Sequence, residues 1–331
     1  MSHLLQTFTS ARDLPDLHSA ESESNPFMKN TLLEILEKCN PCHQSYYIST
    51  QSAESSIIVS YKLALNLLTY IGLTWKYTTT IIGLPFSVGF PGFTIPLRKN
   101  LPELIPPTKG FTIVLNAPDL ELIDFGKGAT LPSCILDVKW DTFSDYLESL
   151  RSHHRYRIKN NLKRWDQVET TLLSHNDDFD HQLYNLYLEV YKRSDFKLEK
   201  LSMEYFRTFP ADIFTFRDGD EYLGFMQLFQ EDDRLIFLFA GINYPLLKQY
   251  DVYQNLLLEI VKLAIDRKCK IIDFGQTGEA LKMKLGCELR QNFIYARHSN
   301  VVLNAVLKKL LPLFSYRIPK MKFRVFRETG Q

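Results

Sequence analysis

Three features that often identify a protein at once are missing from this sequence. Its 331 residues include five cysteines, scattered and odd in number, so we expect free thiols in a reducing compartment and no disulfide framework. No stretch reaches 18 consecutive apolar residues, which argues against a transmembrane helix. The first 25 residues have neither a basic start nor an apolar core, so no signal peptide is expected. Together these absences predict a cytoplasmic protein.

An excess of charge of one sign is missing as well. Lysine and arginine number 39 against 38 for aspartate and glutamate, so the formal net charge is +1 and the whole chain has no strong attraction for nucleic acid or acidic lipid. Any attraction for an anion must therefore be local. Two segments meet that condition, because span 151–164 has six basic residues and no acidic one, and span 289–327 has nine and none.

The tripeptide Asp273-Phe274-Gly275 occurs in protein kinases, but the other kinase motifs are missing. There is no Gly-rich loop followed by a strand lysine, no His-Arg-Asp loop and no Ala-Pro-Glu. Metal chemistry is not expected either, since His153 and His154 are neighbours that would face different directions on a helix. The sequence also has no nucleophile elbow or Ser/His/Asp arrangement.

What is present is a large apolar content arranged in a clear order. Apolar residues make up 45% and aromatic residues 13%, which is enough for two ordinary domains. The second half reads as a strand, helices, a three-stranded meander over 213–240, an amphipathic helix from Tyr250, a strand ending at Asp273, a short helix and a last strand. The first half is a looser version of the same order. We predict an α+β protein with two similar units, each a mixed, mostly antiparallel sheet flanked by helices.

The same pattern sets the expected domain boundaries. Thr142 and Asp145 have the spacing of a capping box, which predicts a long helix from Thr142 to about Trp165. The predicted segments are a disordered tail (1–25), an N-terminal unit (26–141), a linking basic helix (142–166), a C-terminal unit (167–298) and a C-terminal helix with a basic tail (299–331).

The order of elements and three local strings resemble one enzyme superfamily. The strings are Gly83-Leu-Pro-Phe-Ser87, Leu150-Arg-Ser-His-His-Arg-Tyr-Arg157, and Asp273-Phe-Gly-Gln-Thr277 with Lys282-Met-Lys-Leu-Gly286. In these the chain resembles the GNAT acyltransferases, and among them the FemAB-like and BioF2-like group with two GNAT units in one chain. The resemblance implies transfer of an activated acyl or aminoacyl group to an amine, with an acceptor in the cell envelope such as a peptidoglycan or lipid precursor.

The resemblance also implies a co-substrate in place of a tightly bound cofactor. In this group the donor is acyl-CoA or aminoacyl-tRNA. The chain departs from the usual CoA pattern, because the Arg-x-x-Gly-x-Gly loop is missing before the helix at Tyr253 and span 243–251 contains no glycine. It also lacks the inserted coiled-coil arm of FemA-like enzymes. Both donors therefore remain open.

Site residues are carried over from the last string. Lys282 matches the lysine read as stabilising the oxyanion of the tetrahedral intermediate, and Asp273 is expected to orient the amine or accept its proton. The alternatives are a surface lysine and an aspartate that caps the following turn. The residues expected to line the substrate pocket are Gln276, Thr277, Lys284 and Tyr253.

The basic segment predicts a phosphate site. Arg151, Arg155, Lys159 and Lys163 repeat every four residues and form one cationic helix face, while His154 falls on the apolar stripe and is expected in the core. The residues expected to bind phosphate of CoA, tRNA or a linked acceptor are Arg151, Arg155, Arg157 and Lys159. The alternative is a solvated helix face.

The C-terminal segment gives two further expectations. A helix over 300–311 with Lys308 and Lys309 fits peripheral contact of span 299–327 with an anionic membrane, and the alternative is a packed last helix with a frayed tail. A second function class also remains open. The duplicated scaffold could be a non-catalytic module that binds an anionic ligand or a membrane surface.

Overall fold

The chain folds into two compact units, each assembled from three stretches of sequence. A computed structural model describes residues 5–15, 25–40, 42–51, 54–66, 76–86, 88–94, 101–195, 198–318, 321 and 323–327. Unit 1 consists of Met1–Leu131, Leu198–Tyr205 and Gln291–Ile318, and unit 2 consists of Pro132–Lys197, Phe206–Arg290 and Pro319–Gln331. The predicted α+β class, with a mostly antiparallel sheet flanked by helices, is confirmed.

The strands and helices are numbered along the chain. The strands in the described residues are β1 (Leu5–Phe8), β2 (Ser45–Gln51), β3 (Glu54–Asn66), β4 (Lys76–Ile82), β5 (Phe93–Thr94), β6 (Phe111–Ala117), β7 (Gly126–Asp137), β8 (Glu169–Leu172), β9 (Asp212–Asp218), β10 (Glu221–Glu231), β11 (Arg234–Ile242), β12 (Ile271–Asp273) and β13 (Glu288–His298). The α-helices there are α1 (Asn30–Cys39), α2 (Leu101–Leu104), α3 (Phe143–Ser149), α4 (Ser152–Lys163), α5 (His181–Arg193), α6 (Met203–Thr208), α7 (Leu247–Tyr250), α8 (Val252–Asp266), α9 (Glu279–Met283) and α10 (Val301–Leu310).

In unit 1 the sheet order is β1-β2-β3-β4-β6-β13, with β5 paired to β3. The β4–β6 pair is parallel and the other pairs are antiparallel. Ile58, Ile82, Val114 and Tyr295 come from four of these strands and meet in one buried cluster. Apolar residues at strand positions thus fold this half as a β-rich unit.

In unit 2 the order is β7-β12-β11-β10-β9-β8, and β11–β12 is the parallel pair. The predicted meander is β9, β10 and β11, which pair antiparallel in sequence. Helix α8 buries Leu256, Leu257, Ile260 and Val261 in the main core of this unit. A helix with so many buried side chains packs against the sheet. Helix α8 connects the end of β11 to the start of β12 and so helps to position both strands.

The helix predicted from Thr142 to about Trp165 is instead two helices. The capping box of Thr142 and Asp145 is present and begins α3, but Leu150 is extended (φ −74°, ψ 146°). Leu150 forms an antiparallel bridge with Phe326, the Arg151 N–H donates to the Val325 carbonyl, and the Arg327 N–H donates to the Ser149 carbonyl. Because a distant segment takes these backbone groups, the break had no signal in the local sequence.

The observed unit boundaries also differ from the predicted ones. Span 142–166 lies within unit 2 and does not link two units, while 299–318 belongs to unit 1 and is not a separate tail. Residues 5–8 of the predicted disordered tail pair with β2, whereas 1–4 and 16–24 lie outside the described residues. Long-range pairing sets these limits, and local composition does not encode it.

Candidate active site

Two neighbouring parallel strands of unit 2 diverge and leave one strand edge open. β12 pairs with β11 only over Arg234–Ile236, while β11 continues to Ile242. After Asp273 the chain stays with β7 instead: the Phe274 N–H donates to the Cys134 carbonyl (2.9 Å) and the Cys134 N–H donates to the Gly275 carbonyl (3.0 Å). Among the described residues, no strand covers this edge of β11 beyond Ile236. Such an edge presents backbone groups to an extended ligand.

Lys282 lies beside this divergence and is almost fully buried, at 1% exposed. Its Nζ donates to the carbonyls of Phe274 (2.7 Å) and Gln276 (2.8 Å), so it ties the turn after β12 to α9. Burial lowers the pKa of Lys282, and the nearby Cys134, Cys287 and Asp273 oppose that shift. An ammonium has three donors, and within the described residues the third has no acceptor. The alternative of a solvated surface lysine is therefore wrong.

The two thiols beside Lys282 do not supply a counter-charge. Burial raises the pKa of Cys134 to about 11 and that of Cys287 well above its ordinary value, so both remain neutral at physiological pH. A cation with two carbonyl acceptors and no full counter-ion in contact can still attract a developing negative charge.

Asp273 is buried at the end of β12 and performs the turn-capping role that was one of its two predicted roles. Its Oδ1 accepts from the Gly275 N–H (2.8 Å), and Gly275 takes a left-handed φ of 67°. Burial raises the pKa of Asp273, against the opposing effects of the Gly275 hydrogen bond, Arg234 and Lys282. A carboxyl group with a raised pKa is also a better proton acceptor, so capping does not exclude a chemical role.

The remaining turn residues are placed differently from one another. Gln276 is half-buried and offers its carbonyl to Lys282, while Thr277 is exposed with a left-handed φ of 62°, which is rare for a β-branched residue. At Gly278 a Cβ would come within 3.0 Å of the Tyr253 hydroxyl oxygen. Tyr253 thus covers the turn from α8, and burial raises its pKa.

Lys284 points elsewhere. Its Nζ lies 5.8 Å from the centre of the Phe323 ring, and its charge helps to lower the pKa of His154, after the larger effects of burial, His153 and Arg157. The structure therefore brings Lys282, Asp273, Gln276, Thr277 and Tyr253 together but not Lys284. His154 is buried, as predicted. In the described part of the chain, no group of three or more His, Cys, Asp or Glu side chains is placed to hold a metal ion.

The predicted phosphate-binding residues fall into two groups. Arg157 and Lys159 on α4 are exposed, and Arg155 is half-buried with Nη1 3.4 Å from the Glu148 carbonyl. Arg151 precedes the helix and donates from Nε to the Phe326 carbonyl (3.1 Å), so it holds the C-terminal segment. Only the first group offers charge to a ligand.

The loop before α8, residues 243–251, is named here the entry loop. The loop ends at Asp251, which has a left-handed backbone (φ 47°) and pairs with Arg164 (2.7 Å), while its side chain makes no capping hydrogen bond to α8. The entry loop itself contains the one-turn helix α7, and the buried Asn255 side chain donates to the Tyr250 carbonyl (2.7 Å). The N-cap residue of α8 is therefore acidic, which disfavours a further anion at this end of the helix.

Acidic side chains surround the entry loop. A cleft of about 550 Å³ is lined by Asp218, Asp220, Glu221 and Asn243 among others, and the Tyr250 hydroxyl donates to Asp218 (2.5 Å). The local field is therefore negative where a diphosphate would have to bind in the usual GNAT arrangement.

Sequence reasoning missed Gln227 on β10. It is fully buried, and within the described residues neither its amide oxygen nor its amide nitrogen has a hydrogen-bond partner. It lies opposite half-buried Phe239, next to a bulge where the register with β11 shifts. A single polar residue inside the apolar run 222–229 was the available signal, but an alternating pattern would place it in solvent.

A family comparison agrees with the geometry. The sequence profile described as Acetyltransferase (GNAT) domain matches residues 151–283, so the chain contains a GNAT domain. No protein with a curated description matches the chain in sequence.

Solved structures are similar at low identity. FemX is 13% identical, covers 92% of this chain and 99% of its own, and has a TM-score of 0.49. L-PGS from Bacillus licheniformis is 12% identical over 57% of this chain and 67% of its own, at 0.39. A probable N-acyltransferase from Enterococcus faecalis V583 is 10% identical over 90% of this chain and 73% of its own, at 0.44. At these values no substrate carries over to this chain.

Proposed function

We propose that the protein is an N-acyltransferase whose chemistry takes place in unit 2, at the open edge of β11. The observation that supports this most is the buried ammonium of Lys282 next to that edge, with one donor that no acceptor in the described part of the chain takes. A buried lysine is costly unless it is paired, and its retention beside a strand edge is best explained by a charge that develops there.

In the proposed mechanism an amine attacks the carbonyl carbon of the activated acyl group. A C–N bond forms, negative charge moves to the carbonyl oxygen, and the third N–H of Lys282 stabilises it in a low-dielectric site. Asp273 accepts the proton that the amine loses, and Gln276, Thr277 and Tyr253 position the reactants. Collapse breaks the C–O or C–S bond, and the leaving group takes the proton.

The donor we propose is aminoacyl-tRNA in preference to acyl-CoA. The entry loop has no glycine, the N-cap residue of α8 is the acidic Asp251, and Asp218, Asp220 and Glu221 line the cleft beside Asn243. These features oppose a diphosphate there. Phosphates would instead contact Arg155, Arg157 and Lys159 on α4. The acceptor amine would belong to a cell-envelope or lipid precursor, and membrane contact is a separate proposal because a different part of the chain carries it.

A non-catalytic module that binds an anionic ligand is the second candidate. It is favoured by the same entry loop, since a GNAT unit without a phosphate loop could bind without turning over. The missing phosphate loop is consistent with such a module, but the module gives no purpose to the cost of burying Lys282, so we rank it second.

The test is a donor screen with the full chain. Transfer of labelled acyl groups to an amine panel would be measured with bulk aminoacyl-tRNA and with acetyl-CoA, alongside thermal shifts with each donor and with deacylated tRNA. Product from aminoacyl-tRNA alone supports the proposal. Equal stabilisation by deacylated and charged tRNA with no product from any donor would support the binding module, and product from acetyl-CoA alone would contradict the proposed donor.

A further inference from the structure

The last helix of unit 1 turns its apolar side outward. On α10 and the 3-10 turn that follows it, Val302 is 71% exposed and Leu313 is 70% exposed. A surface helix ordinarily places such residues against the core. The residues of this outward apolar face are Val302, Leu303, Val306, Leu310, Leu313 and Phe314, all exposed.

The orientation is set by specific contacts on the opposite side of the helix. The Asn304 side chain accepts from the His298 N–H (2.9 Å) and donates to the Asp124 carbonyl (3.0 Å). At Gly126 an added Cβ would lie only 3.0 Å from Lys308 Cα, so the backbones are in close contact. These contacts fix Asn304 and the Lys308 backbone on the inner side of the helix, so the outward apolar face is a stable feature of the unit.

The charge around this face is of one sign along the helix and the strand before it. Between Gln291 and Ile318 there is no acidic residue, and Lys309 lies next to the apolar positions. The Lys308 Nζ donates to the Ile123 carbonyl (2.6 Å), beside an Ile123 side chain that is 81% exposed and extends the apolar surface. A second copy docked face to face would bring these lysines together, which favours an anionic partner over self-association.

We infer that unit 1 docks on the surface of a bilayer containing anionic lipid. Helix α10 lies in the plane of the interface, its outward apolar face enters the acyl boundary, and Lys309 and Arg317 meet lipid phosphates. This goes beyond acyl transfer and does not depend on it, since all of the residues concerned belong to unit 1.

Vesicle flotation with the full chain tests the inference. The wild type should float with vesicles of equal parts phosphatidylglycerol and phosphatidylcholine and much less with phosphatidylcholine alone. The double variant Val306→Asp, Leu310→Asp should lower the bound fraction by roughly tenfold or more, and Lys309→Glu by about fivefold, through the apolar and electrostatic contributions respectively. The control Leu172→Asp adds a negative charge at one exposed leucine of unit 2, half of the charge that the double variant adds, and should bind like the wild type.

Folding of each variant is checked by circular dichroism, and outward positions should tolerate the change. The inference is overturned if the double variant floats like the wild type, or if the wild type binds neither vesicle. Sedimentation velocity provides an independent check. A wild-type dimer that the double variant converts to monomer, without vesicle binding, would show that a second copy covers the face.

Discussion

The entry loop precedes α8 in the chain, and the turn after β12 follows it. The two segments differ in the charges they carry and in the hydrogen-bonding groups they leave for a ligand. Within the described residues, the turn holds the buried Lys282 with an unused donor, because its Nζ has two acceptors, the carbonyls of Phe274 and Gln276. The entry loop carries one lysine and one aspartate, Asp251 pairs with Arg164, and Tyr250 donates to the neighbouring Asp218. The turn after β12 has the hydrogen-bond donor that the proposed acyl transfer needs. The entry loop lacks the glycine-containing phosphate loop that would bind the diphosphate of CoA.

This difference separates the chemical step from recognition of the carrier. Stabilising an oxyanion requires one well-aimed donor, whereas holding a polyphosphate or nucleic acid requires several cations or free backbone N–H groups. A domain can therefore retain the first and lose the second, provided that another surface binds the carrier. Helix α4 is the surface of unit 2 with exposed cations suited to that task.

The largest expected effect is at Lys282. Lys282→Met keeps the aliphatic length and removes the ammonium, so transfer should fall by roughly a hundredfold, the order expected for one lost oxyanion donor. Lys284→Met is the matched control, since its Nζ lies over Phe323, and should transfer within about twofold of the wild type. Single-turnover rates with saturating donor measure both.

Stability must be followed in the same variants. Loss of Lys282 leaves the buried carbonyls of Phe274 and Gln276 without their donor, so the fold will not be unaffected, and Lys282→Ala would add a cavity. Urea denaturation separates the two effects. A Lys282→Met protein that is folded at the assay temperature and transfers at the wild-type rate contradicts the oxyanion role.

A comparable effect is expected at Asp273. Asp273→Asn keeps an oxygen that can accept from Gly275 but cannot take a proton, so transfer at neutral pH should fall by roughly a hundredfold if this carboxylate is the base. The wild-type rate should rise with pH through the raised pKa of Asp273, and the variant should lose that rise. A variant with the full rate and the same pH profile would leave Asp273 with capping alone.

The pH dependence of stability tests the raised pKa of Asp273 independently of the kinetics. Because burial raises the pKa of Asp273, ionising it in the folded protein costs free energy. The free energy of unfolding of the wild type should therefore fall as pH rises from the ordinary aspartate pKa through the raised one. Asp273→Asn should be the more stable protein above that window, and its advantage should vanish below it, as measured by urea denaturation at several pH values.

A smaller effect is expected for the carrier. Arg157→Glu with Lys159→Glu on α4 should raise the KM for aminoacyl-tRNA by roughly tenfold and reduce its salt dependence, because two phosphate contacts are lost. The control Asp220→Asn with Glu221→Gln, in the acidic cleft beside the entry loop, should change KM by less than about twofold. If these cleft substitutions instead lower the KM by a larger factor than the α4 substitutions raise it, the carrier binds at the start of α8.

The sequence predicted the region of the turn after β12 better than the surroundings of the entry loop. The element order of unit 2 followed from periodicity along the chain. Lys282, Asp273 and Tyr253 were named through the family resemblance that short strings carry, and their roles stay predictions. The break at Leu150 did not, because Phe326 creates it from far away. The pairing of Arg164 with Asp251 and the unpaired amide of Gln227 were equally invisible, since both depend on tertiary neighbours.

The smallest expected effect is at Gln227, near the open edge of β11. Its buried amide has no hydrogen-bond partner among the residues that the structure describes, so Gln227→Leu should raise the free energy of unfolding by about 1 kcal/mol, as measured by urea denaturation. If Gln227 serves only the core, the transfer kinetics will not change. If it contacts the acyl group beside Phe239, the more stable variant will transfer polar aminoacyl groups more slowly than apolar ones, which would extend the site from the turn to β10. A loss of stability would instead show that the amide has a buried partner such as water, and Gln227 would then belong to the scaffold.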